Sequence, residues 1–428
     1  MIIYLFQLLY YSSIRLIRII IYFIDQFLFK RIPSTPFNTI DIIKPDTTIY
    51  VPGLFGYPKT ELVNLPYWNS LRYLGFYSTL ITPNISPLNN FTDRACELFF
   101  SINGETIKYL RKKDNLNAII ETELTKNEIK NYTFVELPYR KNDILVNDFL
   151  KKDKINFVAH SNGGFTIIRM FDLLDKGYFD TKDKCYSKDW HNHIGKIVFI
   201  SCGLYGQFGN YTNFFKISSE IGSLRNTPKL INIVKIIFYY IVSCFLLLLQ
   251  LIPYQIRKMI YDPYLDIYLS NKLSIFNPFL IYNISQIKEV GTKFPIPKHR
   301  VIELLKKSNA NIYNFITYFS QNVNGIELLK PFCNPILIPL SQLFSLSTKT
   351  KQKHDGVVPV ESMLGCLDIK EQKNNLLLEI INDQSVIKEL GSKLNQFGYL
   401  IDHLSVIGSP DDIKTDKIIW TQIIDILN

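Results

Sequence analysis

The order of apolar and polar positions suggests two kinds of element along this chain. Short runs rich in β-branched and aromatic residues occur at 47–51, 76–82, 155–159, 196–201, 312–320, 336–340 and 357–360. Runs of this length and composition predict strands, the one at 155–159 a buried one. The first runs into Pro52-Gly53, a turn signal. Between the strands, helical spacing marks 93–110 through Ala95, Leu98, Phe99, Ile102 and Ile107, with Gly104 as its weak point. It also marks 163–174 and 413–427, the latter as the final helix. Strands alternating with helices predict an α/β fold with a mostly parallel central sheet flanked by helices. No repeat and no long low-complexity linker breaks the pattern, so a single large domain is expected.

Two stretches depart from it. Residues 1–31 are apolar, uncharged through Ile14, with Arg15 and Arg18 in the middle and Lys30-Arg31 at the end. A secretory signal carries its basic residues first and a small-residue cleavage site last. Here neither feature is present, which favours an uncleaved anchor or a helix lying in a membrane interface over a cleaved signal. Residues 236–256 form an uncharged run of 21 between Lys235 and Arg257. That length meets the criterion of about 20 residues for a transmembrane helix.

Composition supports contact with lipid. Only 20% of the 428 residues are charged, below the usual quarter or so, and Ile, Leu, Tyr and Phe take their place. The net charge of +10 suits anionic lipid as well as nucleic acid. No helix-turn-helix, RNP or zinc-finger pattern is present, so nucleic acid is not the expected partner. The cysteines, at 96, 185, 202, 244, 333 and 366, lack CxxC spacing and are expected to be buried free thiols. Sequons begin at Asn84, Asn90, Asn131, Asn210 and Asn283. They matter only if the domain is lumenal.

The sharpest chemical signal is Phe157-Val158-Ala159-His160-Ser161-Asn162-Gly163-Gly164. A nucleophile exposed on a tight strand-to-helix turn needs small residues two before and two after it, because larger ones collide with the neighbouring strand and helix. Ala159 and Gly163 satisfy this, and the turn sets Ser161 at the positive end of a helix. The alternative is a helix-capping serine in an ordinary turn. A serine nucleophile needs a base, and the base needs an orienting carboxylate, in the chain order Ser, Asp or Glu, His. His354-Asp355-Gly356-Val357-Val358 offers Asp355 as the acid; Asp402-His403-Leu404 offers His403 as the base. Asp402 competes with Asp355, but adjacent side chains rarely point to one place. One membrane crossing at 236–256 would split this triad between two sides of a bilayer. A buried helix or a lid helix is therefore expected there.

With these residues in view, the chain resembles the bacterial lipases of the staphylococcal and Geobacillus type. Val51-Pro52-Gly53-Leu54-Phe55-Gly56 with Tyr67-Trp68 is similar to that family's oxyanion loop. Ser86-Pro87-Leu88 and Asp93-Arg94-Ala95-Cys96-Glu97-Leu98 resemble its helix opening, and Ala159 to Gly164 its alanine-type elbow. Asp355-Gly356-Val357-Val358 and Asp402-His403-Leu404 with Ile407-Gly408 resemble its acid and base loops. The likeness runs from about residue 46 to the end and leaves out 1–31. It implies an α/β-hydrolase domain over 46–428, with a helical lid insertion at about 205–300 and long-chain acylglycerol substrates. It also implies an oxyanion hole from the backbone N–H groups of Leu54 and Asn162. Pro52 replaces the family's usual His, and Asn162 its usual Gln. The family's zinc site needs two Asp and two His. Asp93 and Asp266 match the acids, but Lys112 and Lys113 stand where a His belongs, so no zinc site is expected. The calcium set lacks its Glu: Ser405 stands there, with Asp411 and Asp412 nearby.

The expected activity is thus that of a membrane-associated serine lipase in or beyond the secretory pathway, working through an acyl-enzyme without a cofactor. A phospholipase or lipid acyltransferase would use the same triad. A catalytically silent membrane-bound relative, acting by binding, is the reading from another class.

Overall fold

The computed structural model describes residues 2–24, 47–53, 67–68, 70–71, 81–83, 85, 90–114, 125–136, 154–205, 296–334, 337, 341, 352–371, 377–408 and 413–428. The chain opens with helix α1 (Ile2–Ile24), then strand β1 (Thr48–Val51) and helix α2 (Phe91–Asn103). A small antiparallel pair follows, β2 (Lys108–Lys112) with β3 (Tyr132–Glu136). Next come β4 (Ile155–His160), α3 (Asn162–Asp175), β5 (Ile194–Ile200), α4 (Lys298–Lys307) and β6 (Asn311–Tyr318). The β7 (Ser320–Val323) and β8 (Ile326–Leu329) hairpin comes after, then β9 (Cys366–Glu371), β10 (Leu377–Asn382), α5 (Gln384–Leu390), β11 (Leu394–Leu400) and α6 (Ile413–Leu427).

Seven of these strands form one sheet in the order β1-β4-β5-β6-β11-β10-β9. The pairs from β1 through β11 are parallel; β10 and β9 add antiparallel partners at the far end. The expected mostly parallel sheet is therefore present. Both faces are apolar, as a parallel sheet covered by crossover helices requires. Ile49, Val51, Phe157, Ala159, Ile197 and Phe199 join one core with α2, α3 and α4. Their neighbours Tyr50, Val158, Val198 and Ile200 turn to the other face and pack with Trp68, Leu71 and α6. Side chains on a strand alternate faces, so these fully apolar runs serve two cores at once.

The helix expected at 93–110 stops at Asn103. Gly104 adopts a left-handed conformation (φ 67°) and its N–H caps the carbonyls of Phe100 and Ser101. Residues 108–112 then pair with β3. The apolar period seen in the sequence continued across a helix stop, because Ile107 enters the same core from beyond it. At the other end Asn90 accepts from the Asp93 N–H at 2.9 Å, which buries the sequon asparagine as an N-cap. The strand expected at 357–360 is a tight turn running into a short 3-10 segment. Val358 and Val360 are apolar because they enter the core, not because they pair in the sheet. Of the strand expected at 76–82, residues 76–80 lie outside the described residues, and Ile81 makes a parallel bridge to Ile49. Residues 336 and 338–340 also lie outside them, as do 206–295, which hold most of the expected lid and the 236–256 run.

Helix α1 packs against the domain through Tyr4 and Leu8, which cluster with Leu328, Leu329, Cys333 and Leu337. Among the described residues no helix is long and apolar enough to cross a membrane. Cys96, Cys202, Cys333 and Cys366 are buried free thiols, and burial pushes Cys96, Cys202 and Cys366 up to about 12. Cys185 departs from expectation and is exposed; Cys244 lies outside the described residues.

Helix α6 buries Ile419, Trp420, Ile423 and Leu427, and Trp420 donates from Nε1 to the Val406 carbonyl at 2.8 Å. Its ring meets Trp68 edge-on, 5.6 Å between centroids. Trp420→Ala is expected to lower unfolding free energy by about 3–5 kcal/mol, measured by urea denaturation.

Candidate active site

Strand β4 ends at His160, and the chain turns at once into α3. Ser161 sits at the corner with φ 54° and ψ −123°, a region that costs a non-glycine residue about 1–3 kcal/mol. Its N–H is held by the Ile200 carbonyl at 2.9 Å. The need for small neighbours is visible in the packing. A Cβ on Gly163 would lie 2.2 Å from the Val51 carbonyl oxygen, and one on Gly164 would lie 2.8 Å from Cys202 Sγ. Asn162 is the first residue of α3, so its N–H belongs to the helix end that has no intrahelical acceptor. Such a free N–H at the helix's positive end is suited to hold an anion.

The base loop follows β11 and the acid loop precedes β9. His403 Nδ1 and Asp355 Oδ2 are 2.8 Å apart, and the His403 N–H donates to the Asp355 carbonyl at 3.0 Å. With Nδ1 turned to the carboxylate, Nε2 is the ring nitrogen left to face a nucleophile. Asp355 is fully buried and well supplied with donors. Val357 and Val358 donate their N–H groups to Oδ1 at 3.0 and 2.7 Å, and Thr317 Oγ1 donates to Oδ2 at 2.7 Å. Burial alone would raise this carboxyl; the His403 ring and the Val358 and Thr317 donors outweigh it and hold it below the usual carboxylate range. Ser201, another positive-φ residue (53°), supports Thr317 through a 2.6 Å hydroxyl contact.

A hydrogen-bonded chain joins the neighbours of Ser161 to the His403 loop. The Gly53 N–H donates to Tyr67 Oη at 2.9 Å, and Tyr67 Oη lies 2.6 Å from His160 Nδ1. Nδ1 accepts from Tyr67 Oη, because the carbonyl facing Nε2 can only accept and so fixes the proton of the neutral His160 on Nε2. From there it is donated to the His403 carbonyl at 3.0 Å. The two imidazole rings are 4.5 Å apart. Burial, then the nearby His403, lowers the His160 pKa well below the ordinary histidine value, which keeps it neutral as this chain requires. Gly53 packs so close that a Cβ there would lie 2.8 Å from Ser161 Cβ. Arg94 fixes the same loop from below: Nη2 donates to the carbonyls of Pro52 at 2.6 Å and Gly53 at 3.3 Å, and Nε to Thr166 Oγ1 at 3.0 Å.

The structure thus gathers the acid and base loops with His160, the residue before Ser161, at one end of the parallel strands. Leu54, the other expected oxyanion donor, lies outside the described residues. Asp402, the rival acid, turns away from the His403 ring; it accepts from the N–H groups of Leu404, Ser405 and Asn334. The roles of Tyr67, Arg94 and Thr317 were not apparent from sequence. An arginine inside the apolar run of α2 is the one local signal that could have flagged Arg94.

No protein-family model matches the chain, and no curated protein matches it in sequence. Solved structures do. EstA from Clostridium botulinum matches with a TM-score of 0.52 at 18% identity, covering 90% of this chain and 89% of that one. Lipase 1 from Pelosinus fermentans matches with a TM-score of 0.51 at 17% identity, covering 90% and 98%. Staphylococcus hyicus lipase gives a TM-score of 0.50 at 16% identity, covering 91% and 97%. The chain has the α/β-hydrolase fold. In an α/β-hydrolase, ligands meet the sheet at the carboxyl ends of its strands, where Ser161 and the base loop lie.

Asp93, which matches an acid position of the resembling family's zinc site, is already engaged. Both carboxylate oxygens of Asp93 accept from Arg111, at 2.6 and 2.9 Å, and both side chains are buried. Among the described residues, no group of three or more His, Cys, Asp or Glu side chains gathers as a metal site would. Asp266, Asp411 and Asp412 lie outside those residues.

Proposed function

We propose that this α/β-hydrolase is a serine carboxylic ester hydrolase of the bacterial lipase type, acting on acylglycerol esters at a lipid surface. The observation that carries the reading is the strained Ser161 corner beside a base loop whose imidazole is already bonded to a buried carboxylate. The names of the structural neighbours, a lipase from Pelosinus fermentans and one from Staphylococcus hyicus, support it.

In the proposed reaction His403 Nε2 takes the Ser161 proton as Oγ attacks the ester carbonyl. Asp355 keeps the imidazole oriented and stabilises its charged form. The N–H groups of Asn162 and Leu54 receive the oxyanion. His403 then returns the proton to the departing alcohol, and water, activated by the same base, releases the acid. The Gly53–Tyr67–His160 chain ties the oxyanion loop to the base, so one set of bonds governs both. The lipid surface is supported by the outer side of α1, where Tyr10, Leu16, Ile17 and Ile21 are exposed beside Arg18.

The test is treatment of the full chain and its Ser161→Ala variant with a fluorophosphonate probe, alongside turnover of a long-chain p-nitrophenyl ester in detergent. Labelling and turnover are expected in the former and absent in the latter. A folded wild-type chain that does neither would sink the hydrolase reading and favour a silent lipid-binding role.

A further inference from the structure

The turn that carries His403 is built around a buried carboxylate. Asp402 Oδ1 accepts from the N–H groups of Leu404 at 3.1 Å and Ser405 at 2.9 Å. Its Oδ2 accepts from the Asn334 N–H at 2.9 Å and from Ser405 Oγ at 2.8 Å. At 1% exposure such a group needs a compensating charge, since an unpaired buried ion is strongly destabilising. That charge comes from the other end of the sequence. Arg15, 8% exposed, reaches in from α1 with Nη1 3.6 Å from Asp402 Oδ2. The same Nη1 donates to the Phe332 carbonyl, and Nη2 donates to Ser405 Oγ at 3.2 Å. Ser405 Oγ thus accepts from the guanidinium and donates to the carboxylate, so the three groups form one polar unit.

The helix is docked so as to deliver this arginine. Tyr4 and Leu8 enter the cluster of Leu328, Leu329, Cys333 and Leu337. Tyr4 Oη donates to the Leu329 carbonyl at 2.6 Å, and Tyr11 packs its ring against Phe332. Residues 4, 8, 11 and 15 lie on one helical stripe, so three aromatic and aliphatic contacts aim the fourth position at the turn.

We propose that Arg15 is a positioning residue for the base: from α1 it clamps the Asp402–Ser405 turn and thereby holds His403 against Asp355. The first 24 residues are then part of the working α/β-hydrolase domain, not a separable anchor. The consequence for activity rests on the hydrolase reading above; the clamp itself does not. Burial pushes the Asp402 carboxyl up against the opposing pull of Arg15 and the Ser405 and Asn334 donors, which is the condition under which removing the cation is felt.

The experiment uses the full chain and the variants Arg15→Met and Arg15→Met with Asp402→Asn. Hydrogen exchange of peptides spanning 402–408 and β5 is followed by mass spectrometry, with the fluorophosphonate labelling rate alongside. In R15M, exchange at 402–408 should accelerate while Ile194–Ile200 stays protected. Labelling should slow on the order of 10²-fold, as expected when a reacting group is misplaced by about 1 Å. Adding D402N removes the uncompensated charge and keeps an acceptor for the Leu404 and Ser405 N–H groups, so protection and labelling should largely return. Unchanged exchange at 402–408 in R15M overturns the proposal. So does loss of protection in β5 together with 402–408 that D402N does not restore, because Arg15 would then serve the fold at large. If the wild-type chain never labels but R15M loosens 402–408 alone, the clamp stands and the hydrolase reading falls.

Discussion

Asp355→Asn is expected to lower ester turnover by about 10⁴ while leaving the fold in place. The carboxylate now takes His403 Nδ1 at 2.8 Å and also accepts from Val357, Val358 and Thr317. An asparagine fits the same volume but can place an N–H₂ toward Nδ1. The ring would then carry its proton on Nε2, the nitrogen proposed to accept from Ser161. The loss should appear in kcat, with KM little changed, when steady-state hydrolysis of a long-chain ester is compared between the two proteins. The same substitution should change acid stability. The folded Asp355 carboxyl lies below the ordinary value of about 3.9, so its stabilising contribution is present above that pH. It is lost as pH falls through the lower folded value. The asparagine variant should lack that acid limb in a pH series of urea midpoints. Equal slopes below pH 4 in the two proteins would contradict the assigned charge state.

Arg94→Met is the second change with a large expected effect. The guanidinium is fully buried, and although burial pushes it down to about 10, it remains charged at neutral pH. It binds the Pro52 and Gly53 carbonyls and so fixes which way the backbone of that loop faces. The residue after Gly53 is the proposed oxyanion donor, so a loop free to rotate removes one donor from the transition state. Loss of one such donor typically costs about 10²–10³ in rate. Burst labelling by the fluorophosphonate and kcat should fall together by that factor, while exchange at the 402–408 base loop stays as in the wild type. Loosening of the base loop in this variant would show that Arg94 acts through the His160–Tyr67 chain instead.

How legible the site was depends on the range of the interaction that makes it. The elbow at Ser161 obeys a local rule: the residues two before and two after must be small, and the distance from Gly163 to Val51 shows why for the second. Chain order and flanking patterns pointed to Asp355 and His403 because strand, turn and loop signals there are also local. Strand β11 escaped notice because Asn395, Gln396 and Gly398 interrupt its apolar pattern. Gly398 is there because β10 passes so near that a Cβ would meet Leu378 Cβ at 2.9 Å, a fact about a neighbour and not about the strand. The overlong helix at 93–110 failed for a related reason, since one core collected apolar residues from both sides of the Gly104 stop.

By itself the sequence determined the alternation of buried strands and helices and the sharp corner at Ser161, through short-range sterics and periodicity. Only the tertiary structure decided where the buried charges go. Asp355 meets His403, Asp402 meets Arg15 from 387 positions upstream, and Asp93 meets Arg111. A carboxylate and a guanidinium read the same in any loop or helix. Burial makes a partner obligatory, and which partner is within reach is set by the packing of elements far apart in the chain.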